Sequence, residues 1–443
     1  MSSLFDLRRG LAGAAPDAPL VPVTGLLLCC APLFVLTVRG WASAVLFAGA
    51  LLAVLLLARG ALPRVDLDAR DRRWATALVL AYVTPVLSVM LSAAMRHDTS
   101  VDQFDAPSRF LLAIPIFLFV LRSGWPAGRI LQWVLPLALV IVLGYLQFVG
   151  GDPKWLPQAR TTTRVVDPLV FGYFSLAFGL MCLASISPGD WRRDGGWSVL
   201  LRLAGALMGV WFSLLSSSRT GWVAVPLVVG IWLYHHWGRS HRLAAAGALA
   251  GAVLVPVAAY LAIPVVGLRV DEFIHEVATY PWHGVQLKET STGWRITYLR
   301  IAADVFAQHP WAGIGITAHH MPYPASAFGY AAPAAVEGAF TAGFHNQIVS
   351  NAIRSGLGGL LATAALLFVP LLLCLRGLRE AAPGGGRQAM IGVAYCTCLV
   401  VSSLSTEVVD LKFAASFYAT MTAVLCGAVL GARRESGAAL SAR

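Results

Sequence analysis

The chain has 443 residues, 58% of them hydrophobic and 12% charged, with a mean hydropathy of +0.71 and a formal net charge of +11. A soluble domain carries roughly a quarter charged residues, so composition excludes a soluble globular protein. Recurrent apolar runs of about twenty residues indicate a polytopic all-α membrane protein, and the short alternating segments of a membrane β-barrel are missing from the sequence. In such a chain positive charge first reports topology, through basic cytoplasmic loops, and does not point to nucleic acid.

In chain order, residues 1–23 read as a polar, Pro/Ala-rich cytoplasmic tail. The first apolar run lacks a small-residue cleavage site after it and reads as a retained span. Hydropathy predicts about twelve spans, near 24–38, 41–58, 74–95, 109–121, 129–149, 167–187, 197–216, 220–236, 243–264, 345–375, 389–405 and 412–431. Nine of them occupy 24–266. A large polar segment at 267–344 follows, then three spans over 345–431 and a tail at 432–443. Arginines at Arg59, Arg64, Arg122, Arg129, Arg202, Arg239, Arg376 and Arg387 fall in alternate loops, which puts both termini inside and segment 267–344 outside. All seven cysteines lie in apolar runs and imply no disulfide framework.

That topology leaves basic residues on the outer side that it does not explain: Arg96, Arg109, Lys154, Arg160, Arg164, Arg219, Arg269, Lys288, Arg295, Arg300, Arg354 and Lys412. Arginines kept against the topogenic bias point to an anion. The outer segment is far longer than an ordinary connection, which marks it as functional. Its centre, from Ser291 to Gln308, reads as a helix with Ser291 or Thr292 as N-cap and an apolar face of Trp294, Tyr298, Ile301, Val305 and Phe306. Pro310 ends it, Gly313-Ile314-Gly315-Ile316 reads as a turn, and Met321 to Ala335 as a lid leading back to the membrane.

The tenth span opens on His345-Asn346-Gln347. At helical spacing His345 shares a face with Val349, Ala352 and Gly356, and a stripe of Gln347, Ser350, Asn351 and Arg354 carries polar groups into the membrane. An imidazole with an ordinary pKa near 6.5 takes a proton from a hydroxyl around neutral pH. A plain interfacial histidine is the alternative. Ser216-Ser217-Ser218-Arg219-Thr220-Gly221 forms an outer turn whose backbone N–H groups and arginine suit an anion, against the alternative of a capped turn with a snorkelling arginine. Arg354, roughly 13 Å below His345 at helical rise, needs a partner, with Asp304, Glu407 and Asp410 as candidates. Asp102 with Asp105, and Asp271-Glu272, imitate metal-binding acids without a supporting partner. His319-His320 and His235-His236 lack a third ligand.

Three pieces together resemble the O-antigen ligase and O-antigen polymerase superfamily, which includes O-oligosaccharyltransferases. They are Ser218-Arg219-Thr220-Gly221; Arg295 followed by His309-Pro310-Trp311-Ala312-Gly313-Ile314-Gly315; and His345-Asn346 followed by Gly356-Leu357-Gly358-Gly359. Arg354 departs from the pattern, since relatives often carry an acidic or neutral polar residue there. The resemblance implies a GT-C-like membrane enzyme of the bacterial inner membrane with its active site facing the periplasm. Such an enzyme transfers a glycan from undecaprenyl diphosphate to an acceptor hydroxyl. The single dominant outer segment favours a ligase acting on lipid A-core; a polymerase and a protein O-oligosaccharyltransferase are alternatives, and a lipid-linked glycan transporter is a rival from another class. Arginines can stabilise a departing diphosphate without a metal or other cofactor. The expected roles are His345 as base, Arg219 and Arg295 as diphosphate clamp with Arg160 and Arg164 assisting, and Ser218, Asn346, Gly356 and Arg300 in support. The partners implied are the lipid-linked donor, lipid A-core and membrane lipid.

Overall fold

The computed structural model describes residues 19–150, 160–219, 221–238, 242–285, 290–316, 322–381 and 386–441, and helices are their regular structure. The first half contains α1 (Leu20–Cys29), α2 (Trp41–Ala58), α3 (Ala69–Arg96), α4 (Asp105–Leu111), α5 (Ala113–Ser123), α6 (Ala127–Phe148), α7 (Pro168–Ala184) and α8 (Gly196–Leu215). The second contains α9 (Ala224–Leu233), α10 (Arg242–Ala262), α11 (Pro264–Ala278), α12 (Ser291–Gln308), α13 (Pro333–Thr341), α14 (Gln347–Glu380), α15 (Arg387–Ser403) and α16 (Lys412–Ser441). Local chemistry sets several starts. Asp68 caps α3 by accepting from the Asp71 N–H, and Asp167 caps α7 with Pro168 in its first turn.

Each predicted apolar run carries a helix in its described part, although among the described residues seven helical stretches are long and apolar enough to cross a membrane: Trp41–Ala58, Ala69–Arg96, Asp102–Ser123, Ala127–Phe148, Gly196–Leu215, Gln347–Glu380 and Lys412–Ala432. The rest are shorter or only partly described. The run predicted at 24–38 is helical as far as Cys29 and continues in turns.

The Lys412–Ala432 stretch of α16 is almost entirely buried and lies at the centre, against α2, α5, α14 and α15. Helices α7 and α8 touch at Gly179 and Gly209, where a Cβ on Gly209 would fall 2.6 Å from the Gly179 Cα. Small residues permit that backbone approach where apolar packing alone drives association. Six of the seven cysteines are buried and free in this core.

Three arginines counted above as topogenic loop charges are structural. Arg202 is fully buried, 2.9 Å from Asp190, and Arg387 reaches the other oxygen of Asp190 at 2.7 Å. The carboxylate thereby ties α8 to α15. On α14, Arg376 meets Asp71 of α3 at 2.7 Å.

The segment between α10 and α14 has its own apolar cluster, which includes Tyr298, Ile301, Val305, Phe340, Phe344 and Ile353. Because Ile353 belongs to α14, this cluster seats α12 and α13 on that helix. The predicted helix from 291 to 308 matches α12, but its cap is one residue earlier: the Thr290 hydroxyl accepts from the Gly293 N–H. Ser291, expected to cap, instead accepts from Arg295.

Candidate active site

The helix that follows His345 is broken. Ser355 and Gly356 leave helical geometry, with Gly356 at φ 61°, and residues 310–315 insert at the break. There the Leu357 N–H donates to the Pro310 carbonyl at 2.7 Å, while the N–H groups of Ile314 and Gly315 donate to the carbonyls of Ile353 and Arg354 at 2.9 and 3.0 Å. The backbone groups freed by the break are thus satisfied by protein, as membrane depth requires. Gly313, at φ 63°, lies where a side chain would run into the Ile353 and Arg354 carbonyls. Gly356 therefore admits the inserted loop, whose Pro310 and Trp311 carbonyls lie against it.

The predicted face shared by His345, Val349, Ala352 and Gly356 does not form. His345 precedes the helix in a left-handed conformation, φ 49°, and Asn346 is the N-cap, accepting from Ile348 and Val349 at 3.1 Å each. The Asn346 amide also donates to the Leu404 carbonyl at 3.2 Å. Just inside the helix, Gln347 accepts from the Val409 N–H at 2.8 Å, and Ser350 pairs with Glu407 while accepting from the Phe344 N–H. These bonds hold the histidine turn against the α15–α16 connection. Burial, followed by the neighbouring Asp410 charge, raises the Glu407 carboxyl above its ordinary value.

Among the three candidate partners, Arg354 pairs with Asp410. Four more of the outer cations left over by topology are paired in the same way: Arg96 with Asp98, Arg109 and Lys412 with Asp105, and Arg269 with Glu272. Asp105, read as a possible metal acid, is engaged by those two cations. Lys154, Lys288, Thr220, His319 and His320 lie outside the described residues, as do the tail to residue 18 and the start of the predicted lid.

Arg295 differs. It donates to Ser291 at 2.7 Å, and its Nε is buried without a partner. Its pKa is pushed below the ordinary arginine value, first by burial and then by Arg219, with Glu276 partly offsetting and Arg160 adding to the effect. Arg219 donates to the Arg269 carbonyl at 2.9 Å and stands 3.8 Å from Glu272. Its turn carries Ser217 at φ 52° and buries the Ser218 hydroxyl without a partner.

Against this cluster stands the His345 imidazole, half-buried and stacked on the Tyr298 ring with centroids 5.7 Å apart and planes 18° apart. Its Nδ1 is buried without a partner. Burial, then the Arg295 charge, lowers its pKa below the ordinary 6.5 and favours the neutral base. Tyr298, pushed up to about 12 by burial, keeps its proton.

The structure therefore brings together His345, Arg295, Arg219 and, through its charge, Arg160. Arg164 is exposed, and Arg300 lies over the Tyr330 ring at 4.0 Å and reaches the Tyr280 hydroxyl, so neither joins the cluster. Sequence reasoning missed the Tyr298–His345 stack, having read Tyr298 as part of an apolar face. Its spacing of three residues from Arg295 was the available signal.

Fold and site together define an all-helical integral membrane protein with a helical cap over a histidine beside clustered arginines. The family model described as O-antigen ligase matches residues 204–364, which include the Arg219 turn, Arg295, the inserted loop and His345. This match supports membership of the chain in the O-antigen ligase superfamily, whose members are glycosyltransferase-like enzymes. An uncharacterized protein of Haemophilus influenzae is 23% identical over 175 residues, 39% of this chain; the chain spans 40% of that relative's length.

Proposed function

We propose that this protein is an O-antigen ligase. It transfers a glycan from undecaprenyl diphosphate to a core-sugar hydroxyl of lipid A-core on the periplasmic side of the bacterial inner membrane. The observation carrying this reading is the half-buried imidazole of His345, its Nδ1 without a partner, beside Arg295, a cation less compensated than its neighbours. His345 takes the proton of the acceptor hydroxyl as its oxygen attacks the anomeric carbon. The bond from that carbon to the diphosphate breaks, the configuration inverts, and undecaprenyl diphosphate leaves with its charge facing Arg295 and Arg219, assisted by Arg160. Arginine supplies this stabilisation without a metal.

The test is product analysis with purified protein, lipid-linked glycan and lipid A-core. Glycan joined to lipid A-core is the expected product, whereas elongation of the lipid-linked glycan alone would identify a polymerase. His345→Ala is expected to bind donor normally and to lower turnover by about 100- to 10,000-fold. Near-wild-type turnover would remove the base role, and a loss of activity in chelator restored by magnesium would remove the metal-independent mechanism.

A further inference from the structure

A cavity of about 580 Å³ lies beside the break in α14, between α3, α4 and the connection into α16, away from the Arg295 cluster. Its size falls within the roughly 300–1,000 Å³ of small-ligand sites. Its lining changes with depth. At the outer end stand Arg96, Asp105, Arg354, Asp410 and Lys412; deeper are Pro85, Val89, Phe110 and Leu366. Pro85 is eleven residues below Arg96 on α3, about 16 Å at helical rise, and Leu366 lies on α14 beyond its break. A polar ceiling over an apolar floor of that depth matches an amphiphile standing with its head at the membrane surface.

The ceiling also indicates the kind of head. Its cations are already answered by carboxylates, Arg354 by Asp410, Lys412 by Asp105 and Arg96 by Asp98. Such pairs offer donors and acceptors side by side, which suits the hydroxyls of a saccharide. Asn351 and Thr363, joined at 2.8 Å, add an amide and a hydroxyl to the wall. A smaller pocket of about 80 Å³ shares Gly315, Ile316 and Arg354 with this cavity and extends to Phe344, the residue before His345.

We propose that this cavity is a second lipid site that takes the saccharide head and upper chain region of a glycolipid and leads it toward His345. Its identity as the acceptor site rests on the ligase reading above; its chemistry as a glycolipid site does not.

The test uses the full chain in nanodiscs with three probes: lipid A-core, phosphatidylethanolamine and undecaprenyl diphosphate. Val89→Trp fills the floor and Asn351→Ala removes a polar wall group. Each is expected to weaken lipid A-core binding by about tenfold or more, with undecaprenyl diphosphate binding held within about twofold. Unchanged lipid A-core affinity in Asn351→Ala and in a Val89→Trp that melts like the parent overturns the proposal. If Val89→Trp does not fold, Asn351→Ala decides. Phosphatidylethanolamine competing as well as lipid A-core also overturns it, because the cavity would then be an ordinary phospholipid site. Variant-sensitive binding of lipid A-core without transfer to it keeps this site and removes the ligase reading. Transfer with an unaltered KM for lipid A-core in both variants removes this site and keeps the reading.

Discussion

At the scale of single residues, the chemistry of His345 is set by its surroundings. An exposed imidazole is half-protonated near pH 6.5 and is a poor base below it. Burial and the Arg295 charge both oppose protonation here, so the base form persists to lower pH. The acid limb of the pH–rate profile is therefore expected below pH 6.5. Arg295→Gln removes one of the two causes and raises the His345 pKa, moving that limb upward while burial keeps part of the depression. A profile that does not move in the variant would mean that Arg295 does not act on the imidazole. His345 was legible as a candidate because a polar stripe in an apolar run is rare. Its left-handed backbone and its stack on Tyr298 were not, since both depend on α12 being seated above it.

At the scale of elements, the break in α14 joins two stretches that are about forty residues apart in sequence. Gly313 and Gly315 read as a turn and Gly356 as part of a continuous helical face, and glycine alone does not say what fills the space it leaves. The structure fills it with the 310–315 loop, whose N–H groups take the carbonyls freed at the break. Gly313→Ala would force a side chain into the Ile353 and Arg354 carbonyls at a positive φ, a conformation costing an ordinary residue roughly 1–2 kcal/mol before the clash. Its expected outcome is lower thermal stability in detergent and lower transfer, because His345 immediately precedes the same helix. Asn346→Ala removes the cap of that helix and is expected to cost about 1 kcal/mol in the same melting experiment. Stability unchanged in both variants would show that the insertion and the cap hold little of the site's geometry.

At the scale of the whole molecule, charges hold helices together on both sides of the apolar core. Asp190 is fully buried and answered by Arg202 and Arg387, which come from two different helices. Removing one member of a buried pair leaves an uncompensated charge, at roughly 3–5 kcal/mol. Asp190→Ala is expected to lower the melting temperature strongly, and more than Arg70→Ala, whose partner contact with Glu380 is largely exposed. Equal small effects from both would contradict a structural role for the buried cluster.

The sequence by itself determined the class of the molecule and the order of its helices. Uncompensated apolar length has few outcomes in a membrane, and cap residues such as Asp68, Asp167 and Asn346 act on their own neighbours. It also singled out His345, Arg219, Arg295 and Arg160, because residues that violate a local rule stand out before any contact is known. Tertiary structure decided which of the outer cations are answered. Arg96, Arg109, Arg269, Arg354 and Lys412 each find a carboxylate, while Arg295 keeps a buried nitrogen without one. An ion pair depends on distance in space, and hydropathy carries no information about which distant segments meet. For the same reason, only the folded chain places Arg295 beside His345 and the inserted loop in the break of α14.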